Sequence, residues 1–177
     1  GKERFYSGAE LTLSTVNKDG TFYTYTLKLG NYWSEALIED AQAQFGISRN
    51  SRLYFLGKVK IRHQAELNFA SQINAGHKRL LDIRDGNGIH GFRPDSLWGA
   101  QRLVFRTETV WFTPLKLAGF HFAPVTRVDL AYLAKANRVL FQKQNFYSGF
   151  SAALRARNEN LIFNTVEARV YYYPKTI

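Results

Sequence analysis

The chain has 177 residues, with 24 Lys or Arg and 14 Asp or Glu, which give it a formal net charge of +10. Because it contains no Cys, disulfide scaffolds, thiolate nucleophiles and Cys-based metal sites are excluded. Aromatic residues make up 15% of the chain, too many for a disordered polycation, and no apolar run reaches the ~18 residues of a membrane-spanning helix.

The first part of the chain alternates between apolar and polar residues, which is typical of β-strands. Segments 9–14 and 21–29 alternate on either side of the polar turn 17–20 and predict a hairpin. We interpret segment 34–47 as a strand, although its start at 35–40 is also compatible with a short helix.

The next strand, predicted at 53–64, is followed by a region with little alternation. Residues 68–98 contain Pro94 and a Gly-rich stretch at 85–91. A loop of roughly 30 residues inside a compact domain is uncommon and usually has a function. We therefore expect a long functional loop at 68–98.

The second half of the chain returns to alternation. It predicts four further strands, at 102–111, 120–132, 146–157 and 162–172. Several of the roughly eight strands run to about 11–14 residues, against ~5–6 in most globular proteins and ~9–11 for a membrane-spanning strand. Their chain order and short links predict an all-β antiparallel meander in a single domain, 1–177.

Charged residues share one face of the last four strands, because the members of each pair are two residues apart. The pairs are Arg106 and Glu108, Arg127 and Asp129, Arg155 and Arg157, and Glu167 and Arg169. The opposite face is rich in Phe, Leu, Val and Tyr, and aromatic residues gather near strand ends at 32–33, 111–112 and 171–173. An apolar exterior, a polar lumen and aromatic girdles are typical of transmembrane β-barrels, so we expect part of such a barrel, in contact with a lipid bilayer.

Two other interpretations were weighed against the barrel. A soluble basic β-sandwich that binds polyanions also has strands with one apolar face, but it does not explain their length. A nucleic-acid binder would cluster Lys and Arg on one face with aromatic residues between them. Only 58–62 forms such a basic line, and elsewhere Arg alternates with acids, so we expect no nucleic-acid partner.

Catalytic and metal-binding motifs are absent from the sequence. The four His, at positions 63, 77, 90 and 121, lack metal-ligand spacing, and there is no nucleophile elbow or phosphate-binding loop. Asp82 and Asp85 lie near His in sequence, but carboxylates in loops are more often turn and cap residues. We therefore expect neither an enzyme nor a cofactor.

A series of short motifs in the second half resembles a known family. The motifs are Ile89-His90-Gly91-Phe92, Trp98-Gly99, Leu103 to Glu108, Phe112-Thr113-Pro114 and Val128 to Ala131. In this order and spacing they are similar to the C-terminal barrel of the bacterial surface-antigen superfamily, which includes BamA-type and TamA-type assembly factors and two-partner secretion transporters. The resemblance covers most of the chain but depends mainly on residues 88–131.

The resemblance implies part of a 16-stranded barrel, with about eight of its strands in this chain. It also implies that a long extracellular loop folds into the lumen and places a hydrophobic-Arg-Gly-aromatic tetrapeptide against charged strand residues. Ile89, Gly91 and Phe92 match that tetrapeptide. Glu108 and Asp129 match the inward acids of the two strands that follow.

Two residues depart from the family pattern. His90 stands where the family has Arg, so pairing of its side chain with Glu108 or Asp129 would depend on pH. Ala131 stands where the family often has Gly. The lumen partners that we expect around the loop are Glu108, Asp129, Arg106, Arg127, Glu167 and Arg169.

The strand count also differs from the family pattern, since about eight strands are predicted against 16. We therefore expect a fragment of a larger barrel, and the alternative is a complete small barrel. The implied function is insertion or translocation of polypeptides at the bacterial outer membrane. The implied partners are unfolded or nascent outer-membrane or secreted polypeptides and accessory envelope proteins. The alternative function is a barrel that anchors, or serves as a passive pore for, an enzyme or binding domain outside this chain.

Overall fold

The computed structural model describes residues 5–34, 37–73, 81–86, 88–94, 97–136, 138–158 and 165–175. Within these ranges, ten strands form one antiparallel sheet. They are β1 (Phe5–Val16), β2 (Phe22–Ser34), β3 (Leu37–Asn50), β4 (Tyr54–Leu56), β5 (Val59–Ile73), β6 (Gln101–Phe112), β7 (Lys116–Leu117), β8 (Phe120–Ala134), β9 (Phe146–Asn158) and β10 (Val166–Tyr172). A short 3₁₀ helix, Lys143–Asn145, precedes β9. No helix in the described ranges is long and apolar enough to cross a membrane.

The strands cross the sheet in chain order. The order is β1-β2-β3-β5-β6-β8-β9-β10, while β4 pairs with β5 and β7 pairs with β8. Every neighbouring pair is antiparallel, so the predicted all-β antiparallel meander is confirmed. Within the described residues β1 and β10 each pair on one side only, and the sheet is not closed.

The structure corrects the sequence-based strand pattern at two places before the long connection. Residues 37–50 form β3, which pairs with β2 and β5, so the helical alternative is wrong for 37–40, while residues 35 and 36 lie outside the described set. The predicted strand 53–64 is broken at Gly57, whose φ of 60° allows β4 to turn back on β5. A side chain at that φ would be strained, and Gly avoids the strain.

The loop begins later than the predicted residue 68. β5 continues to Ile73 and pairs with β6 as far as Ser71 opposite Gln101. The alternation is weak here because Ala70 stands between Asn68 and Gln72 on one face and Ser71 between Phe69 and Ile73 on the other, but pairing on both sides satisfies the backbone whatever the side chains are. Residues 74–80 of the predicted loop and 162–164 of the predicted last strand lie outside the described residues.

The register gives the sheet two chemically different faces. One face, which we call the charged face, carries the even-numbered residues of β1, β2, β5 and β6 and those of β3 from residue 42. It also carries the odd-numbered residues of β8, β9 and β10. We call the other face the apolar face. Its exposed large side chains include Leu11, Leu13, Leu27, Leu29, Phe45, Leu67, Phe69, Phe105, Phe150, Leu154, Val170 and Tyr172.

The buried core lies on the charged face. Leu81, Ile83, Ile89 and Phe92, from the connection between β5 and β6, pack there against strand residues. The strand residues of this cluster are Ala70, Val104, Ala131, Leu133 and Tyr147. The connection therefore covers one end of the charged face, while Phe141, from the connection between β8 and β9, packs on Tyr132 of the apolar face.

Candidate functional site

The connection folds into a closed turn before it meets the sheet. We call residues 81–94, of which residue 87 is outside the described set, the loop segment. Leu81 and Gly99 exchange two backbone hydrogen bonds of 2.8 Å, and the Asp85 amide donates to the Phe92 carbonyl at 2.9 Å. These bonds join the two arms of the connection and close it into a turn on the sheet.

Four strand or strand-end side chains bond the backbone of the loop segment. The Asp129 carboxylate accepts from the His90 amide at 3.0 Å, and the Tyr173 hydroxyl donates to the His90 carbonyl at 2.8 Å. Arg102 donates to the Asp82 carbonyl at 2.8 Å, and Arg106 donates to the Gly86 carbonyl at 3.5 Å. The sheet thus recognises mainly the conformation of the loop backbone.

The side chain of Ile89 packs against the sheet at a position where a glycine leaves space for it. It is fully buried, and a Cβ added to Gly149 of β9 would lie 2.5 Å from its Cγ2 atom. Such a contact is too close for real atoms, so Gly149 is needed for this approach. Glycine inside a strand often marks a close approach by another part of the chain, and this signal was overlooked in the sequence.

Gly91 is required both for its conformation and for the space around it. Its φ is 70°, and an added Cβ would lie 2.7 Å from the Tyr173 hydroxyl oxygen. The Phe92 ring packs on Tyr173 with 5.2 Å between ring centres, and the His90 ring lies 5.6 Å from Tyr171. The two tyrosines were expected in an interfacial girdle, but their odd numbers place them on the charged face, beneath the loop segment.

The imidazole of His90 pairs within the loop segment. Its Nδ1 lies 2.9 Å from the Asp85 carboxylate, whereas the expected partners were Glu108 and Asp129. The reason is geometric, because the backbone amide of His90 occupies Asp129 and the side chain turns back towards Asp85. A hydrogen bond from the Gly91 amide is the main cause that lowers the pKa of Asp85; partial burial acts against it, and the imidazole charge adds to it.

Ion pairs connect the expected lumen residues across the charged face. Asp129, whose side chain is 4% exposed, receives two bonds from Arg127 Nε at 2.9 and 3.2 Å. Glu108 lies 3.8 Å from Arg127, 3.5 Å from Arg155 and 3.2 Å from Arg169. Such convergence of neighbouring strands on one carboxylate is expected on the concave side of a curved sheet.

Two further carboxylates on the charged face, those of Glu167 and Glu66, also pair with arginines. Glu167 accepts from Arg155 and Arg169, each at 2.8 Å. Arg106 pairs with Glu66 at 3.4 Å. Charges that are partly removed from water need such partners, and in the described part of this network arginines and carboxylates are equal in number.

The arrangement offers a docking platform for the loop segment. Of the expected residues, Ile89, His90, Gly91, Phe92, Asp129 and Arg106 contact one another across the loop and sheet, while Glu108, Arg127, Glu167 and Arg169 form the ion pairs beside them. The sequence did not point to Arg102, Gly149 or Tyr173. In the described residues no group of three or more His, Asp or Glu is placed to hold a metal ion.

Comparison of the chain with protein-family models, curated proteins and solved structures finds no match.

We expect Gly149→Ala to displace the loop segment, because the added methyl overlaps Ile89. Overpacking of this kind costs about 1–3 kcal/mol, and Ile89→Ala alone costs about 2–5 kcal/mol through the cavity that it leaves. In the double variant the overlap is absent, so its total loss of stability should be smaller than the sum of the losses in the two single variants. The measurement is the rate of trypsin cleavage after Arg84 and Arg93, combined with the free energy of unfolding. Additive effects in this double-mutant cycle would contradict the contact.

We expect the loop contacts to weaken in acid. The pKa of Asp85 lies below its usual value of 3.8, so its charge stabilises the loop segment above that pH, and this contribution is lost as the pH falls through the lowered value. Asp85→Asn keeps an acceptor for the Gly91 amide without the charge, and should lack this part of the transition. Trp98 lies 4.7 Å from the Arg84 guanidinium and reports on the loop by fluorescence when Trp33 and Trp111 are replaced by Phe. An identical acid transition in both proteins would exclude Asp85 as its source.

Proposed function

We propose that the chain forms part of an outer-membrane β-barrel that assists the insertion or translocation of polypeptides. The observation that carries this proposal is the inverted polarity of the sheet. Large apolar side chains such as Val170, 75% exposed, cover the outer side, while paired charges and the buried core lie on the other side. A protein that folds in water buries its apolar surface, whereas a barrel in lipid presents it outwards.

The near absence of charge on the apolar face supports a lipid environment. Among the described side chains of the long strands, Arg49, next to the end of β3, is the one Lys, Arg, Asp or Glu on that face. A Lys or Arg at the bilayer midplane costs about 2–4 kcal/mol and near the interface about 0–1 kcal/mol. A sheet face in water has no physical reason to exclude charge in this way.

Strand length supports the same proposal. β1, β2, β3, β5, β6, β8 and β9 have 12 to 15 residues. At ~3.3 Å per residue and a tilt of about 45°, they span roughly 28–35 Å along the bilayer normal, close to the ~30 Å hydrocarbon core.

The edges of the sheet bear on the size of the barrel. An unpaired backbone group in lipid costs several kcal/mol, so open edges are not tolerated there. We propose that β1 and β10 pair with strands beyond the described residues, which fits the 16 strands that the family resemblance implies.

The role in handling polypeptides comes from the resemblance to the surface-antigen superfamily. What supports it here is the contact between residues 89–92 and the sheet at Asp129, the acid that matches the family pattern. The closed turn with Gly91 and Phe92 at its tip, held on inward charges, corresponds to the loop that the resemblance implies.

We expect Phe105→Arg to impair folding into lipid, because it places a cation near the middle of β6 on the apolar face. Leu117→Arg is the matched control, since Leu117 is also exposed but lies in the short strand β7 beyond the long strands. In lipid vesicles the first should cost about 2–4 kcal/mol and the second about 0–1 kcal/mol. The measurement is the folded fraction on heat-modifiable gel migration. Equal folding of both variants, or a monomer that stays folded without detergent, would contradict the membrane assignment.

We expect the full barrel to which we assign this chain, in phospholipid vesicles, to accelerate the folding of an outer-membrane polypeptide added from denaturant. Asp129→Ala should reduce this acceleration, because the His90 amide and Arg127 lose their shared acceptor, and breaking a buried pair costs about 3–5 kcal/mol. Gel migration of the variant checks that its barrel still forms. Wild-type protein no better than empty vesicles would favour the anchor or passive pore instead.

A further inference from the structure

The end of the charged face away from the loop segment has a different charge balance. An open cavity of about 600 Å³ lies there, where β5 and β8 begin and β6 and β9 end. Lys60 and Arg62 line it from β5, His121 from β8, and Arg155 and Arg157 from β9. No Asp or Glu among the described residues lines this cavity.

Most of these basic groups lack an acidic partner in the described part of the chain. Arg155 pairs with Glu108 and Glu167. Lys60, Arg62, His121 and Arg157 form no ion pair with a described carboxylate, in contrast to the arginines beneath the loop segment. His121 and Arg157 are also direct neighbours across β8 and β9, an arrangement of basic side chains that an anion would stabilise.

The spacing of the cations indicates what kind of anion would fit. β5 and β9 are separated by β6 and β8, so Arg62 and Arg157 project from strands roughly 14 Å apart at ~4.8 Å per strand. A single phosphate group is too small to bridge that distance. Residues i and i+4 of an extended peptide are also roughly 14 Å apart, and their side chains point the same way.

An aromatic ring lies between the two groups of cations. Phe112 of β6 lines the cavity and is paired in register with Lys60. An extended peptide that placed acids at i and i+4 would direct its residue i+2 towards this ring. The cavity therefore offers a cationic, an apolar and a second cationic contact in sequence across the sheet.

We propose that this cavity binds an extended acidic polypeptide segment with an acid, an apolar residue and a second acid at alternate positions. Carboxylates would accept charge-assisted hydrogen bonds from Arg62 and Lys60 at one end and from Arg157 at the other. That the bound segment belongs to a polypeptide in transit rests on the proposed function, whereas the binding itself does not.

The test is titration of the full barrel to which we assign this chain, folded in detergent, with the fluorescent peptide Glu-Ser-Phe-Ser-Glu, blocked at both ends, followed by anisotropy. The Gln-Ser-Phe-Ser-Gln and Glu-Ser-Ser-Ser-Glu peptides separate the acidic and aromatic contributions. We expect both to bind more weakly than the first peptide, the uncharged one by roughly tenfold or more, since charge-assisted bonds dominate. Wild-type affinity should fall as salt rises, because the cations are exposed.

Matched variants assign the binding to the cavity. Arg62→Gln with Arg157→Gln should weaken the acidic peptide by roughly tenfold, whereas Lys18→Gln with Lys58→Gln, which removes two charges in turns at the same end of the sheet, should leave it within about twofold. Neither pair removes an ion pair among the described residues, so gel migration should match wild type. An equal loss of peptide affinity in both double variants would show that the peptide is attracted by net charge alone, and would overturn the proposed site.

One further outcome tests the kind of ligand, and two others keep the site and the proposed function separate. Tighter binding of inorganic tripolyphosphate than of the peptide would overturn the assignment to a polypeptide. If folding assistance survives Arg62→Gln with Arg157→Gln, and the wild-type protein does not bind the peptide, the proposed site is wrong and the proposed function stands. Peptide binding without folding assistance would leave the site and remove the function.

Discussion

The hydrogen bond from the His90 amide to the buried carboxylate of Asp129 holds loop and sheet together. Asp129 is 3% exposed and carries a charge that needs partners, which Arg127 and the loop backbone supply together. Without the loop, the Asp129 carboxylate would lose one of its hydrogen-bond donors. Without the carboxylate, the His90 amide would lose its acceptor. Ile89, Gly91 and Tyr173 are arranged around this bond.

The same constraint explains the distribution of polar groups over the sheet. Charges that are partly removed from water must be paired, and near the loop each arginine of the network has a carboxylate or a loop carbonyl. At the other end of the charged face the described cations around Arg62 and Arg157 lack such partners. A structural network and an open basic cavity thus occupy opposite ends of one surface, and the described long strands carry a Lys, Arg, Asp or Glu on the apolar face only at Arg49.

Much of the architecture could be predicted from alternation, because a period of two places successive side chains on opposite faces whatever their partners are. The strands follow from that rule, the antiparallel meander follows from their chain order and short links, and the register places Glu108 and Asp129 on the same side. The rule failed at 68–73, where Ala70 and Ser71 interrupt the alternation, and at Gly57, where a turn interrupts it. It also misled at Tyr171 and Tyr173, since three consecutive tyrosines include both faces.

The sequence by itself determined the strands, their two faces and the short motif around Gly91, since these depend on neighbours along the chain. Only the tertiary structure decided that His90 uses its backbone on Asp129 and its side chain on Asp85, and that Gly149 makes room for Ile89. These contacts join residues that are far apart in the chain or depend on a loop conformation. Their geometry is set by how closely backbone and side chains can pack, which the order of residue types does not record.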